Sequence, residues 1–226
     1  MLAIIPARRG SKGLKDKNIK FINNKPLICY TIEAAIKSKK VKDIFISTDD
    51  KRIVKIAKKY NIKIPFLRPK KLSSDTSPVI QTYLHTVDYL NKYKKKKINN
   101  FVVLLPTAPL RKPKDIDNSI KLFLKKKADS VISMCKTHHP IEWQKKIDKK
   151  SKIKSIFKNT KSTFNRQKLN NTYLPNGSIY VFNYKFLKKK LNYYGKKSFA
   201  YVMPKITSYD IDDKIDFEII KNILIK

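Results

Sequence analysis

Two stretches of the sequence carry residue types that could handle a polyphosphate. The first follows an apolar run at the amino terminus and reads ARRGSKGLKDKN over residues 7–18. Its cations can neutralise phosphate charge, while Gly10 and Gly13 let backbone amides approach phosphate oxygens. The spacing matches neither GxxxxGK followed by Ser or Thr nor GxGxxG, so the common P-loop and dinucleotide motifs are excluded. Taken alone, the stretch indicates either a polyphosphate site or a basic surface turn.

The second stretch is acidic, in a chain with few acids, and reads SYDIDDKIDF over residues 208–217. In an extended segment Asp210 and Asp212 point to the same side, because side chains alternate with a period of two. Two neighbouring carboxylates repel unless a cation joins them, and hard oxygen ligands suit Mg²⁺. The alternative is a helix N-terminus, in which Asp213 and Asp212 would cap the helix that begins with KIDF.

Short apolar runs alternate with amphipathic segments and predict an α/β fold. The predicted strands are LAIIPA at 2–7, DIFIST at 43–48 and NFVVLLP at 100–106, and the predicted helical segments are 25–40, 49–60 and 82–93. Strand, helix and strand in this order favour parallel pairing with right-handed crossovers, and thus a layered sheet covered by helices. Ligands of such sheets bind beyond the carboxyl ends of the strands, where both the basic loop and the polar runs STDD and PTAPLRKP are expected.

The pattern changes after about residue 136. Residues 136–172 are predicted to form an inserted arm of extended segments, and the chain is expected to rejoin the core at NGSIYVF, residues 176–182. We therefore expect a single domain over 1–226 that contains one insertion.

The composition limits the classes of function. The 226 residues include 53 Lys and Arg against 17 Asp and Glu, which gives a net charge of +36 and makes nucleic acid a candidate partner. The lysines are spread along the whole chain, so we interpret the charge as a solvated surface that favours polyanions, and we expect no specific nucleic-acid partner.

Cys29 and Cys135 lack metal or redox spacing and indicate a reducing compartment. The absence of a long apolar run or a signal peptide predicts a cytoplasmic protein that is not membrane-bound.

Several blocks, in this order and over nearly the whole chain, resemble one enzyme family. The blocks are IIPARRGSKGLKDKN, ISTDD, FLRPKKLSSDTS, LLPTAPLR, LPNGSIYVF and SYDIDD. In combination they resemble the CMP-sialic acid synthetases, the cytidylyltransferases that activate nine-carbon acidic sugars, including the legionaminate and pseudaminate enzymes. The resemblance implies a three-layer, Rossmann-like nucleotidyltransferase domain whose inserted arm, residues 136–172, forms a homodimer.

The implied reaction joins CTP and a 2-keto acidic sugar to give the CMP-sugar and pyrophosphate, with Mg²⁺ as cofactor. The resemblance assigns the triphosphate and part of the nucleotide to the loop residues Arg8, Ser11, Lys12, Lys17 and Asn18, with Gly13 beside them. Arg8, Lys12 and Lys17 are the candidate catalytic residues of this loop. It assigns the nucleotide also to Arg68 and Ser77, the metal to Asp210 and Asp212, and the sugar pocket to Asn176 and Gly177. Arg166 matches a catalytic arginine that reaches the sugar from the partner's arm.

Two positions depart from the family pattern and bear on the sugar. Leu105 stands where the sialic acid enzymes have Gln, and Leu174 stands where they tend to have Arg. A sugar hydroxyl that faces an apolar side chain loses its hydrogen-bond partner, which favours a deoxygenated sugar such as legionaminic acid. The alternatives are a nucleotidyltransferase for another sugar or alcohol phosphate and a non-catalytic module that binds RNA or other polyanions.

Overall fold

A computed structural model describes residues 1–10, 13–93, 97–156 and 169–225 of the chain. The strands are β1 Leu2–Pro6, β2 Phe21–Ile22, β3 Lys25–Pro26, β4 Asp43–Ser47, β5 Asn100–Leu104, β6 Ser130–Lys136, β7 Lys145–Ile147, β8 Ile153–Ser155, β9 Tyr173–Asn183 and β10 Ser198–Val202. The α-helices are α1 Leu27–Ile36, α2 Lys51–Lys59, α3 Val79–Tyr93, α4 Pro113–Lys126, α5 Tyr184–Lys190 and α6 Lys214–Ile225. None of the helices in these ranges is long and apolar enough to cross a bilayer.

The central sheet has six strands in the order β10-β6-β9-β5-β1-β4. β1 pairs in parallel with β4 and β5, and β10 pairs in parallel with β6. β9 lies between β5 and β6 and is antiparallel to both. The mostly parallel sheet confirms the predicted fold class, and the direction of β9 brings its amino-terminal half to the edge where the parallel strands end.

Helices cover both faces of the sheet because side chains alternate along each strand. In β1, Ala3 and Ile5 join a core cluster with residues of α1, α2 and α4, whereas Leu2 and Ile4 join a cluster with residues of α3 and α5. A third, smaller cluster packs α6 against Leu14 and the start of α1. The strands are thus buried on both faces, as expected for the inner layer of a three-layer fold.

The predicted elements are close to the observed ones. The three predicted strands become β1, β4 and β5, each ending one or two residues early, and the segments 49–60 and 82–93 contain α2 and most of α3. The helix within 25–40 is shorter, Leu27–Ile36, because Lys25 and Pro26 form a strand that pairs with Phe21 and Ile22. Proline lacks a backbone N–H, so it is suited to the residue before a helix and not to its interior.

The sheet brings together the two ends of the segment that is predicted to form an inserted arm. Lys136 is the last residue of β6 and pairs with Tyr173, the first residue of β9. Just beyond, Thr137 donates its N–H to the carbonyl of Thr172 at 2.9 Å. The described part of the segment contains the antiparallel hairpin of β7 and β8, in which Ile147 pairs with Ile153.

Candidate active site

The basic loop after β1 is held at the carboxyl edge of the sheet by contacts from several elements. Arg8 forms an ion pair with Asp75 and donates from Nη1 to the carbonyl of Ser73 at 3.2 Å. Asn18 donates from Nδ2 to the carbonyl of Arg8 at 3.0 Å, which joins the two ends of the loop. The predicted residues Ser11 and Lys12 lie outside the described residues.

The loop meets the acidic segment near the end of the chain, about 200 residues away in the sequence. The Nζ of buried Lys17 donates to the carbonyl of Ile211 at 2.6 Å and lies 3.4 Å from Oδ1 of Asp212. A Cβ at Gly13 would overlap the backbone oxygen of Asp212, so any side chain there would push the two segments apart. The structure therefore brings Gly13 and Lys17 of the basic loop together with Asp212 of the acidic segment.

The two aspartates predicted to bind a metal have different environments. Ile211 between them is buried and donates its N–H to the carbonyl of Thr107 at 2.9 Å, which fixes the segment against the loop after β5. The side chain of Asp212 is 84% exposed. Asp210 is mostly buried, and its Oδ1 accepts no hydrogen bond from any described residue.

Burial raises the pKa of Asp210, and the negative charge of Asp212 raises it further. A hydrogen bond from Thr107 and the charge of Lys17 act in the opposite direction. The site therefore keeps a carboxylate oxygen buried without a donor, next to a second, exposed carboxylate.

The alternative interpretation of the acidic segment, a helix cap, holds for its third aspartate. Oδ1 of Asp213 accepts from the N–H groups of Ile215 and Asp216, at 2.7 and 2.9 Å, at the start of α6. Asp216 in turn accepts from the backbone N–H of Asp212 at 2.9 Å. Asp213 is thus the residue that caps α6.

Arg68, predicted to contact the nucleotide, is buried behind the end of β4. Its Nε donates to Oγ of Ser47 at 3.2 Å, a second guanidinium nitrogen donates to the carbonyl of Ser47, and burial lowers its pKa to about 10. The hydroxyl oxygen of Ser77 is buried, and no described residue supplies a hydrogen-bond partner for it. A buried hydroxyl without a partner is a candidate contact for a ligand.

The residues predicted for the sugar pocket lie beside Asp210, but not all of their polar atoms are free. Gly177 has φ +67°, and a Cβ there would lie 2.5 Å from Oδ2 of Asp210, so only glycine allows the carboxylate this position. Asn176 is buried; its Oδ1 accepts from Ser133 at 2.6 Å and its Nδ2 donates to Ser208 at 2.9 Å. Asn176 therefore fixes β9 against its neighbours.

The two leucines that depart from the family pattern are placed differently. Leu105 is partly buried, and its carbonyl accepts from Thr31 and from Arg111. Leu174 is 59% exposed and pairs with Cys135 on β6. Arg166 lies outside the described part of the chain.

One buried cation of this region is not singled out by the sequence. Arg111 donates from Nη1 to the carbonyl of Ser178 at 2.7 Å and from Nη2 to Oγ1 of Thr31 at 2.7 Å, and burial lowers its pKa to about 9. It thereby joins the loop after β5 to β9 and α1. The only signal for it in the sequence is its place at the end of the LLPTAPLR block, because one arginine among so many cations does not stand out.

Comparison with known proteins places the whole chain in one group. The cytidylyltransferase family profile matches residues 2–224. The chain is 33% identical to the CMP-N,N'-diacetyllegionaminic acid synthase of Legionella pneumophila, over 99% of this chain and 96% of that protein. It is 34% identical to the N-acylneuraminate cytidylyltransferase of Escherichia coli over 97% of this chain, but it spans only 51% of that longer relative.

The fold has a matching neighbour among solved structures. CMP:2-keto-3-deoxy-manno-octonic acid synthetase, solved in complex with CTP, superposes with a TM-score of 0.70 over 99% of this chain and 98% of that one. The sequence identity is 15%, so this similarity concerns the fold alone. The match of the family profile and the identity to the Legionella relative show that the chain belongs to the cytidylyltransferase family.

Proposed function

We propose that the protein transfers CMP from CTP to a nine-carbon 2-keto acidic sugar and releases pyrophosphate. The observation that carries the proposal is the contact of the basic loop with the acidic segment through Lys17 and Gly13. This contact gathers cations for a triphosphate and carboxylates for a metal at the carboxyl edge of a mostly parallel sheet, where α/β folds bind their ligands. The names of the Legionella and E. coli relatives describe the same class of reaction.

A divalent metal fits the acidic pair. Oδ1 of Asp210 is buried without a donor among the described residues, and Asp212 offers an exposed carboxylate beside it. The described ranges contain no group of three or more His, Cys, Asp or Glu side chains suited to a metal, so water and phosphate oxygens would complete the coordination. This is the usual situation of Mg²⁺, which we propose as the cofactor held by Asp210 and Asp212. When bound, Mg²⁺ would neutralise charge on the triphosphate.

The reaction needs little covalent chemistry from the protein. The anomeric hydroxyl of the sugar forms a bond to the α-phosphorus, the bond from that phosphorus to the bridging oxygen breaks, and pyrophosphate leaves as the hydroxyl proton is released. We assign Arg8, Lys17 and the loop residue Lys12 to binding the triphosphate, and buried Arg68 with Ser77 to the nucleotide. Positioning and fixed positive charge supply most of the catalysis in phosphoryl transfer.

We infer a sugar of the legionaminic type from the two leucines. Leu105 and Leu174 offer no hydrogen bond from their side chains, whereas Gln and Arg at these positions would hold hydroxyl groups.

We further propose that the protein is a homodimer whose two chains contact each other through residues 136–172. In this dimer, Arg166 of each chain would reach the sugar site of the other chain. The reaction is assigned to the cytoplasm, because the protein uses CTP and its Cys29 and Cys135 are free thiols.

The sugar assignment is tested by pyrophosphate release from CTP with legionaminic, sialic and pseudaminic acids, with UTP and ATP as control nucleotides. We expect CTP to be used selectively and legionaminic acid to give the highest kcat/KM. Leu174→Arg should shift the preference toward sialic acid by roughly tenfold, the value of about one hydrogen bond to a charged group. Leu174→Met is the matched control and should leave the preference unchanged.

A preference of the unmodified protein for sialic acid would overturn the sugar assignment. An unchanged preference of Leu174→Arg would show that residue 174 does not face the sugar.

A further inference from the structure

Arg52 forms a bridge between two carboxylates that belong to different parts of the chain. Its Nη1 and Nη2 donate to Oδ2 and Oδ1 of Asp16 at 3.1 and 2.6 Å. Its Nε and Nη2 also donate to Asp50 at distances from 2.7 to 3.1 Å. A guanidinium that makes a forked contact with each carboxylate is held in orientation as well as in position. We call the contact between Asp16 and Arg52 the Asp16–Arg52 clamp.

The Asp50 side of the bridge is rigid. Asp50 is buried, its N–H donates to Oγ1 of Thr48 at 3.0 Å, and its Oδ1 accepts from the backbone N–H of Arg52 at 2.8 Å as the cap of α2. Arg52 therefore extends from a fixed point at the carboxyl end of β4. The Asp16–Arg52 clamp therefore ties the basic loop to a fixed point of the sheet.

The Asp16 side of the bridge begins the turn that carries two of the proposed site residues. Asp16 has φ 55°, a left-handed conformation that is unfavourable for a residue with a side chain and needs support from its surroundings. Its carbonyl accepts from the N–H groups of Ile19 and Lys20 at 3.0 and 3.1 Å. These bonds close the 3-10 turn Lys17–Ile19, from which Lys17 reaches Ile211 and Asn18 reaches Arg8.

We propose that Asp16 and Arg52 are positioning residues, which hold the turn Lys17–Ile19 so that Lys17 and Asn18 face the nucleotide phosphates; the proposal rests on the function proposed above. The side chains of Arg52 and Asp16 are 45% and 36% exposed, and exposed ion pairs contribute little to stability. Catalysis is more sensitive, since a displacement of about 1 Å at a reacting group can cost a hundredfold in rate. The clamp should therefore affect turnover much more than folding.

Arg52→Gln tests this role with two separate measurements. Hydrogen exchange of the Ile19 and Lys20 amides should become faster, because the turn loses its anchor. Turnover of CTP should fall by roughly ten- to a hundredfold in kcat. Asp16→Asn should lower kcat in the same way with an unchanged melting temperature, because it leaves the contacts of Arg52 with buried Asp50 in place. Lys188→Gln is the matched control, since Lys188 forms an ion pair of similar exposure with Asp88 between α3 and α5, and it should change neither quantity.

Two further results decide between a positioning role and a general loss of charge. Asp16→Asn combined with Arg52→Gln should be no worse than Arg52→Gln alone, because Arg52→Gln already removes the contact between the two side chains. Arg52→Lys should recover only part of the activity, since an ammonium cannot make the forked contacts. Additive losses in the double variant would overturn the proposal.

Different results would contradict the role of the clamp and the proposed function. Unchanged exchange of the Ile19 and Lys20 amides in Arg52→Gln would overturn the clamp, whatever the substrate. Faster exchange with undiminished kcat would overturn its positioning role. Absence of pyrophosphate release by the unmodified protein with every sugar in the panel would instead contradict the proposed function.

Discussion

Asp210 is a residue that the fold keeps in an environment unfavourable to its charge. Its carboxylate is mostly buried against Gly177, and Oδ1 receives no hydrogen bond from the described residues. Burial and Asp212 both raise its pKa. Buried polar atoms without partners are uncommon and recur at functional sites, where a ligand or metal supplies the missing interaction. The unfavourable environment of Asp210 therefore supports the proposed metal site.

The unfavourable free energy of burying the charged Asp210 carboxylate predicts that Asp210→Asn stabilises the protein while it abolishes activity. In the folded state the raised pKa of Asp210 penalises the charged form, so the penalty is fully present above that pKa. It disappears as the pH falls below the ordinary carboxyl value of 3.8, where Asp210 is neutral in both the folded and the unfolded state. The melting temperature of Asp210→Asn without metal should thus exceed that of the unmodified protein at neutral pH, with a gain that shrinks toward acid pH.

Thermal unfolding across this pH range checks the prediction, with pyrophosphate release as the second measurement. Turnover of Asp210→Asn should fall by at least about a hundredfold, the typical cost of losing one key electrostatic contact. Asp213→Asn is the control, because Asn also caps helices well and should give no gain in stability. A melting temperature of Asp210→Asn below that of the unmodified protein at neutral pH would show that the buried carboxylate stabilises the fold.

At the residue scale, the sequence indicated the residues of the candidate site but not the residues that support them. The acidic pair was visible because acids are scarce in this chain and alternate in an extended segment, and the basic loop was visible because glycines accompany its cations. Arg111, Thr107 and the Asp16–Arg52 clamp were not predicted. Their roles depend on contacts between segments far apart in the sequence, such as Arg111 with Ser178, and no local pattern encodes such contacts.

At the element scale, strands and helices with strong local signals were predicted and long-range pairings were not. β1, β4 and β5 are short apolar runs that end at proline or polar residues, and these features fix their positions within one or two residues. The antiparallel direction of β9 and the edge position of β10 follow from pairing across the sheet. Such pairing depends on the whole fold, and composition and periodicity do not reveal it.

The hairpin of β7 and β8 exposes a pair of apolar side chains. It has three residue pairs, and Ile147 and Ile153, paired across the strands, are 72% and 68% exposed. An isolated two-stranded hairpin is at best marginally stable in water, so an exposed apolar pair on it suggests contact with a second copy of the chain. This agrees with the proposed role of residues 136–172 in dimerisation.

We therefore expect Ile147→Lys to weaken the dimer. Losing one buried isoleucine costs about 2 kcal/mol of association free energy, roughly a thirtyfold increase in the dissociation constant. Sedimentation equilibrium should give a mass near two chains of 26.5 kDa for the unmodified protein and a shift toward one chain for the variant. Ile215→Lys on α6, at a similarly exposed isoleucine, is the control and should remain dimeric. A monomeric unmodified protein, or a dimer unaffected by Ile147→Lys, would contradict this role of the hairpin.

At the scale of the whole molecule, the net charge of +36 and the proposed site must be considered separately. Exposed lysines attract any polyanion, but salt screens them over about 8 Å at physiological ionic strength. Lys17, Arg68 and Arg111 differ from this background because they are buried and hydrogen-bonded to defined backbone or hydroxyl oxygens. The site therefore depends on where a few cations are held, and the proposed activity should persist at a salt concentration that suppresses non-specific binding.

The most direct test of the proposed function is pyrophosphate release from CTP at physiological salt, with Mg²⁺ and a nonulosonic acid, by the unmodified protein and by Asp212→Ala. Asp212 suits this test because its side chain is mostly exposed and its backbone N–H keeps the bond to Asp216 in the variant. We predict turnover by the unmodified protein and a loss of at least about a hundredfold in Asp212→Ala, with an unchanged fold. Tight binding of RNA without any release of pyrophosphate by the unmodified protein, or near-normal Mg²⁺-dependent turnover by Asp212→Ala, would contradict the proposed site.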